Sequence, residues 1–335
     1  MPPFRPPAQV GPDLIAFWFR HYFAAREAAY PVVLGHCRST RPDGICYDVT
    51  NWPARLAVHR LGIPAVRLIP NLAENEAYSL DDQLTAGLDP SHPEMAALAQ
   101  DCARFSAEHG VELDVASTMD VTEALNLVFV PRAFQPAGDT FDDRFQFVGP
   151  LLGRREQREQ WSPPESDAPV LYISLGTIFT DNPDFYRTCV EAFGDGRWQV
   201  AMTVGDVDPA ALGAVPANVE VRSRFPQLAV LRQARAFVSH AGMNSTMEAL
   251  SYGVPLVTFP QMPEQVANAD RVTELGLGER LTALDAGSLR AAVDRVRTDA
   301  AVRSQLDTVC AAIRAAGGAA RAADFVEARL TRLTA

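Results

Sequence analysis

The stretch SHAGMNSTMEALSYGVPLVTFPQMPEQVANA, Ser239 to Ala269, decides how this chain reads. The apolar run Ala236–Ser239 leads into His240, Ala241 and Gly242, and then into a segment with helical spacing that carries Asn244, Ser245 and Glu248. A second apolar run, Pro255–Phe259, ends shortly before Glu264 and Gln265. Strand, glycine turn, helix, strand is the rhythm of a parallel sheet. Such sheets bind ligands at the carboxyl ends of their strands. The N–H groups that open the following helix favour an anion there, phosphate above all. His240 stands directly after the strand, and Gly242 permits close backbone approach. Asn244 and Ser245 fall at the helix start, where plain N-capping is the alternative use for them. Glu248 comes one turn later and is placed to accept from two sugar hydroxyls. Glu264 and Gln265 offer an acceptor and a donor for further hydroxyls. The order along the chain is that of a ligand: phosphate, ribose, sugar.

Outward from this stretch the same rhythm continues. Strand candidates are Val170–Ser174 and Gln199–Val204, with helices at Asp184–Phe193, Pro226–Gln233, Gln265–Leu275, Ser288–Arg297, Ala300–Ala315 and Ala319–Leu333. Ser174-Leu-Gly-Thr177 closes the first of these strands with a glycine turn and hydroxyls, which suits phosphate. Arg224-Phe-Pro-Gln227 opens a helix with Pro226 near its first turn, where a flat side chain could stack on a base. A first half shows its own rhythm: an apolar, aromatic helix over Leu14–Leu34, a strand at Gly44–Asp48, a helix at Pro53–Leu61 and a strand at Ala65–Ile69. Residues 90–126 read as helical, followed by strands at Leu127–Val130 and Phe145–Val148. The polar, proline-bearing segment 150–168 reads as a linker. The chain therefore divides into 1–149, the linker, and 169–335, two doubly wound α/β halves. Two domains also suit 335 residues at ~150 per domain.

Hydrophobic residues make up 47% and charged residues 21%, which fits a packed globular protein. The net charge of -11 argues against a nucleic-acid binder, which would show a basic face. The five cysteines are scattered and have no metal-ligand spacing. They read as reduced thiols of a cytoplasmic protein. No run approaches the ~18 apolar residues of a membrane helix.

Ser239–Ala269, with Ser174-Leu-Gly-Thr177 and Phe225-Pro-Gln-Leu-Ala-Val-Leu231, resembles the donor-binding signature of the family-one UDP-glycosyltransferases, and among them the bacterial macrolide glycosyltransferases of the oleandomycin type. The likeness extends through VLYISLGTIFTDNPDFYRTCVEAFG (170–194), GGAARAADFVEARL (317–330) and RPDGICYDVTNWPARLAVHRLGIPAV (41–66). It implies the GT-B fold, two Rossmann-like domains with the N-terminal one incomplete. It also implies metal-independent, inverting transfer of a hexose from a UDP-sugar to a hydroxyl of a lipophilic acceptor, with the UDP-sugar as co-substrate and no cofactor. By position, His240 and Ser245 match pyrophosphate contacts, with Gly242 and Asn244 in the same loop. Thr177 falls near the β-phosphate, Glu248 at the ribose and Glu264 with Gln265 at the sugar hydroxyls, while Gln227 belongs to the donor-binding set through the Arg224–Gln227 turn. Arg224 is a departure, since many members carry Trp there to stack on uracil. Asp48 matches the acid that orients the family's catalytic histidine.

The segment that bears that histidine in relatives is not found in this sequence. His21, His36, His59, His92 and His109 read as structural or exposed. Two readings follow, an active transferase or a nucleotide-sugar-binding auxiliary protein without chemistry. The missing strands would also leave the strand ending at Asp48 with an unpaired edge. Leu14, Phe17, Trp18, Phe19, Tyr22 and Phe23 would then face water, and a homodimer could cover them.

Overall fold

A computed structural model describes residues 12–80, 93–113, 121–153 and 155–334. The chain forms two compact units. One comprises Met1–Phe129, Ala137–Phe147 and Ala320–Ala335; the other comprises Val130–Pro136 and Val148–Ala319. This division differs from one at 149 and 168. The last helix groups with the first unit, residues 130–136 group with the second, and the polar segment 150–168 is part of the second unit.

The first unit carries α1 (Pro12–Thr40), β1 (Ile45–Asp48), α2 (Trp52–Leu61), β2 (Ala65–Ile69), α3 (Pro93–His109), β3 (Asn126–Val128) and β4 (Phe145–Phe147). The four strands are parallel in the order β1-β2-β3-β4, which puts β1 at an edge of the described sheet. Asn51 caps α2 by accepting from the Ala54 N–H at 3.2 Å, and Gly62 ends it at φ 65. The expected helix over 90–126 stops at His109. Gly110 takes φ 60, a left-handed conformation that ends helices. Residues 121–125 are not helical, and His92 and 114–120 lie outside the described residues.

The aromatic face of α1 is not a solvent face. Trp52, at the start of α2, is buried, and its ring stands 4.9 Å from Phe23, 5.8 Å from Tyr22 and 6.4 Å from Phe19. Phe23 is itself buried, Phe19 and Tyr22 pack on the same cluster, and Phe17 is half-buried. The side chains of Leu14 and Trp18 lie outside the described residues. The expectation of exposed aromatics fails because α1 is long enough to fold back along α2 and α3. What remains of the case for a dimer is the β1 edge.

The second unit carries α4 (Arg155–Arg158), β5 (Val170–Ser174), α5 (Pro183–Phe193), β6 (Gln199–Thr203), β7 (Val219–Arg222), α6 (Gln227–Leu231), β8 (Ala234–Ser239), α7 (Met243–Ser251), β9 (Leu256–Thr258), α8 (Pro263–Glu274), β10 (Gly278–Arg280), α9 (Ala286–Thr298) and α10 (Ala300–Ala316). α11 (Gly318–Thr334) follows. All strands are parallel, in the order β10-β9-β8-β5-β6-β7. Every residue of β5 and β6 is buried, as expected for central strands covered on both faces. Each buried Val, Leu or Ile there contributes about 1.5–3 kcal/mol. β10, Gly-Glu-Arg, has no apolar pattern to announce it. Its Gly278 lies so close to the Leu256 carbonyl that a side chain would collide with it. The chain runs β5, β6, β7 to one side and then returns to place β8 on the other side of β5. The carboxyl ends of β5 and β8 therefore form the switch point at which such sheets bind ligands.

Candidate functional site

Two serines mark the switch point. Ser174 and Ser239 are register partners at the ends of β5 and β8. Each uses its hydroxyl to close the turn that follows: Ser174 Oγ accepts from the Gly176 N–H and Ser239 Oγ from the Ala241 N–H, both at 3.2 Å. The imidazole of His240 lies between these turns. A Cβ on Gly176 would stand 2.6 Å from His240 Nε2, and one on Gly242 would also fall inside contact distance. Both glycines are there because the ring occupies the space of their side chains. Burial pushes the His240 pKa down to about 4, with the Ser174 backbone pulling the other way. The imidazole is therefore neutral at ordinary pH, and its Nδ1 is buried without a partner.

Gly242 is the N-cap of α7 and supplies no side-chain cap. Plain capping by Asn244 or Ser245 is thus not what the structure holds: both lie inside the first turn, Asn244 exposed and Ser245 half-buried. The N–H groups of that turn carry no side-chain acceptor, which suits an anion. Ala241 adopts φ 64, a left-handed conformation uncommon for alanine. Its carbonyl accepts from Asn268 Nδ2 at 3.0 Å. Asn268, fully buried on α8, was not legible in the sequence.

Glu248 is buried on the second turn of α7. Its Oε2 accepts from Gln227 Nε2 at 2.6 Å, and the same amide reaches Ser245 Oγ at 3.2 Å. Gln227 Oε1 accepts from the Tyr172 hydroxyl at 3.2 Å. Gln227, Ser245 and Glu248 are thus one network, joined by Arg155 from the polar segment, whose Nη1 lies 2.8 Å from Glu248 Oε1. Arg155 was likewise not singled out in the sequence.

The remaining positions are placed as follows. Thr177 is exposed just past the Gly176 turn. Arg224 is exposed after β7, while the ring contacts of this turn belong to Phe225, with the Arg222 guanidinium 4.8 Å above it and Trp161 at 6.1 Å. Glu264 and Gln265 open α8; Gln265 is buried, and its Oε1 accepts from the Gln261 N–H at 2.9 Å, which leaves its amide as a donor. All ten lie in the second unit, around the carboxyl ends of its strands. Asp48 lies in the first unit at the carboxyl end of β1. Its Oδ1 accepts from the Thr50 N–H at 2.9 Å and from the Thr50 hydroxyl at 2.6 Å, so it closes a turn. Among the described residues no histidine bonds to it; His59 instead meets Glu123 at 2.6 Å. Among the described residues no disulfide joins the five cysteines. Among the described residues no helix is long and apolar enough to cross a membrane.

Residues 189–322 match the family described as erythromycin biosynthesis protein CIII-like, C-terminal domain. The NDP-glycosyltransferase YjiC of Bacillus licheniformis is 42% identical over 312 residues, which cover 91% of this chain and 76% of that protein. The oleandomycin glycosyltransferase of Streptomyces antibioticus is 37% identical, over 86% of this chain and 68% of its own. Among solved structures, the calicheamicin glycosyltransferase CalG4 superposes with a TM-score of 0.83 at 37% identity, covering 98% of this chain and 86% of that one.

Proposed function

The chain belongs to the family-one, nucleotide-sugar-dependent glycosyltransferases of GT-B fold, and we propose that it moves a hexose from a UDP-sugar to a hydroxyl of a macrolide or similar lipophilic natural product. The observation that carries this reading is the order of groups at one switch point. An uncapped helix start and a neutral imidazole suit the diphosphate. The Glu248–Gln227 pair suits the ribose, and the opening of α8 suits the sugar. The acceptor class rests on the names of the oleandomycin and calicheamicin relatives.

In this reading the acceptor oxygen attacks the anomeric carbon from the face opposite the diphosphate. The carbon–oxygen bond to the β-phosphate breaks, and the configuration inverts. The charge that develops on the leaving diphosphate is met by the N–H groups of Met243, Asn244 and Ser245, by the His240 N–H and by the Thr177 hydroxyl, with no metal required. Such groups are fixed before the reaction starts and need no reorganisation during it. Arg224 offers its guanidinium plane to the base. As the new bond forms, the acceptor hydroxyl gives its proton to a general base. Asp48 holds both of its bonds on Oδ1, which leaves Oδ2 to accept from and orient an imidazole in that role, although among the described residues no histidine stands there. A cytoplasmic setting, where thiols stay reduced, completes the reading.

The test is incubation of the chain with a panel of UDP-hexoses and hydroxyl-bearing macrolides, with and without EDTA, read by mass spectrometry. Glycoside formed equally in both supports the proposal. Saturable UDP binding without any glycoside favours the auxiliary reading, and no UDP binding refutes both. Glu248→Ala should weaken UDP binding by about 1–3 kcal/mol, because two hydroxyls lose a charged acceptor. Superimposable titrations of variant and parent reject the ribose role.

A further inference from the structure

Arg155 belongs to a closed polar ring that ties the segment before β5 to two helix starts. Its Nη1 donates to Glu248 Oε1 at 2.8 Å and its Nε to Glu159 Oε1 at 3.1 Å. Glu159 Oε2 accepts from the Leu228 N–H at 2.9 Å, in the first turn of α6. Gln227, the residue before, donates to Glu248 Oε2 at 2.6 Å and closes the circuit. The surrounding segment is fastened too: Arg232 Nη2 donates to the Glu156 carbonyl at 2.6 Å, and the Tyr252 hydroxyl to Glu156 Oε1 at 3.1 Å. Arg155 is half exposed while Glu248 is only 9% exposed in its side chain. The arginine therefore reaches from the surface to a carboxylate that solvent hardly touches.

A carboxylate oxygen has two lone-pair directions. On Glu248 each oxygen spends one of them on an internal donor, Arg155 for Oε1 and Gln227 for Oε2. Each keeps one direction for a ligand. A ribose diol supplies two donors and fills both. A sugar with one hydroxyl missing leaves one oxygen with its internal donor alone, which is no orphan. From this geometry, and resting on the reading of Glu248 as the ribose contact, we propose that Arg155 is a specificity-determining residue for the donor nucleotide, one that makes the site tolerant of a deoxyribose. Without Arg155, Oε1 depends on the ligand for its partner. A nucleotide lacking the hydroxyl that faces Oε1 then buries a bare carboxylate oxygen.

The experiment uses the full chain and calorimetric titration with UDP, 2′-deoxy-UDP and 3′-deoxy-UDP. In the parent the two deoxy analogues bind within a few fold of UDP. Arg155→Ala raises the ratio of deoxy to parent-ligand dissociation constants for one of the two analogues by about fivefold or more, since an unsatisfied buried acceptor is the costly case. The other analogue keeps its ratio. Arg155→Lys, which restores one charged donor, returns most of the tolerance. Equal weakening of all three ligands by Arg155→Ala means a structural strut and overturns the proposal, as does tighter binding of all three or no change at all. Glu248→Ala separates the two failures: if it leaves UDP binding unchanged, the ribose reading itself falls, whatever Arg155 does.

Discussion

Gly176→Ala tests the seat of His240 most directly. The added Cβ would stand 2.6 Å from Nε2, where ordinary contact needs ~3.5 Å, so ring or loop must retreat by about 1 Å. Gly176 also sits at φ 84, and placing alanine there costs about 1–2 kcal/mol of stability. In the proposed reading the displaced imidazole then misses the diphosphate. A hydrogen bond to a charged group contributes about 1.5–3 kcal/mol, so UDP affinity should fall by about ten- to a hundredfold. Uridine, which has no phosphate, should bind as before. Titration of parent, Gly176→Ala, His240→Ala and the double variant with both ligands completes a double-mutant cycle. With the ring removed, Gly176→Ala has nothing to displace, and its effect on UDP binding should vanish. Additive losses in the double variant, or an equal loss for uridine, refute the reasoning.

Two further outcomes follow from the same geometry. Affinity for UDP-glucose, whose diphosphate loses no proton near neutrality, should stay level from about pH 8.5 to pH 6.5 because the free imidazole titrates near 4. A base whose pKa rises on binding gives affinity that climbs as pH falls, so a rise within that window, read by calorimetry, would show proton uptake and contradict a neutral donor. Trp52→Ala empties the middle of the α1–α2–α3 cluster and should cost about 3–5 kcal/mol, measured as a loss of denaturant midpoint for the first unit; an unchanged midpoint would mean that α1 does not pack there.

The strand–turn–helix order of the second unit was readable because its information is local. His240, Gly242 and Glu248 follow one strand within ten residues, and apolar runs mark each central strand. The Arg155–Glu248 pair spans 93 residues and leaves no period or motif, so it emerges only when the chain is folded. Asn268 looks like any polar position on a helix until its partner, the Ala241 carbonyl, is known. The aromatic face of α1 misled for a related reason: Trp52, which covers it, belongs to a different element. Gly110 carried a stop signal for α3 that the run of helix formers around it outweighed.

The bond from Asn268 to the Ala241 carbonyl has a consequence for redesign. Asn268 rides on the same helix as Glu264 and Gln265, so the element proposed to read the hexose also props the left-handed turn at Ala241 that is proposed to meet the phosphates. In the proposed reading, sugar choice and nucleotide grip share one mechanical frame. Engineers who recast the first turn of that helix for a new sugar will change how tightly any donor is held, unless the strut at Asn268 is left in place.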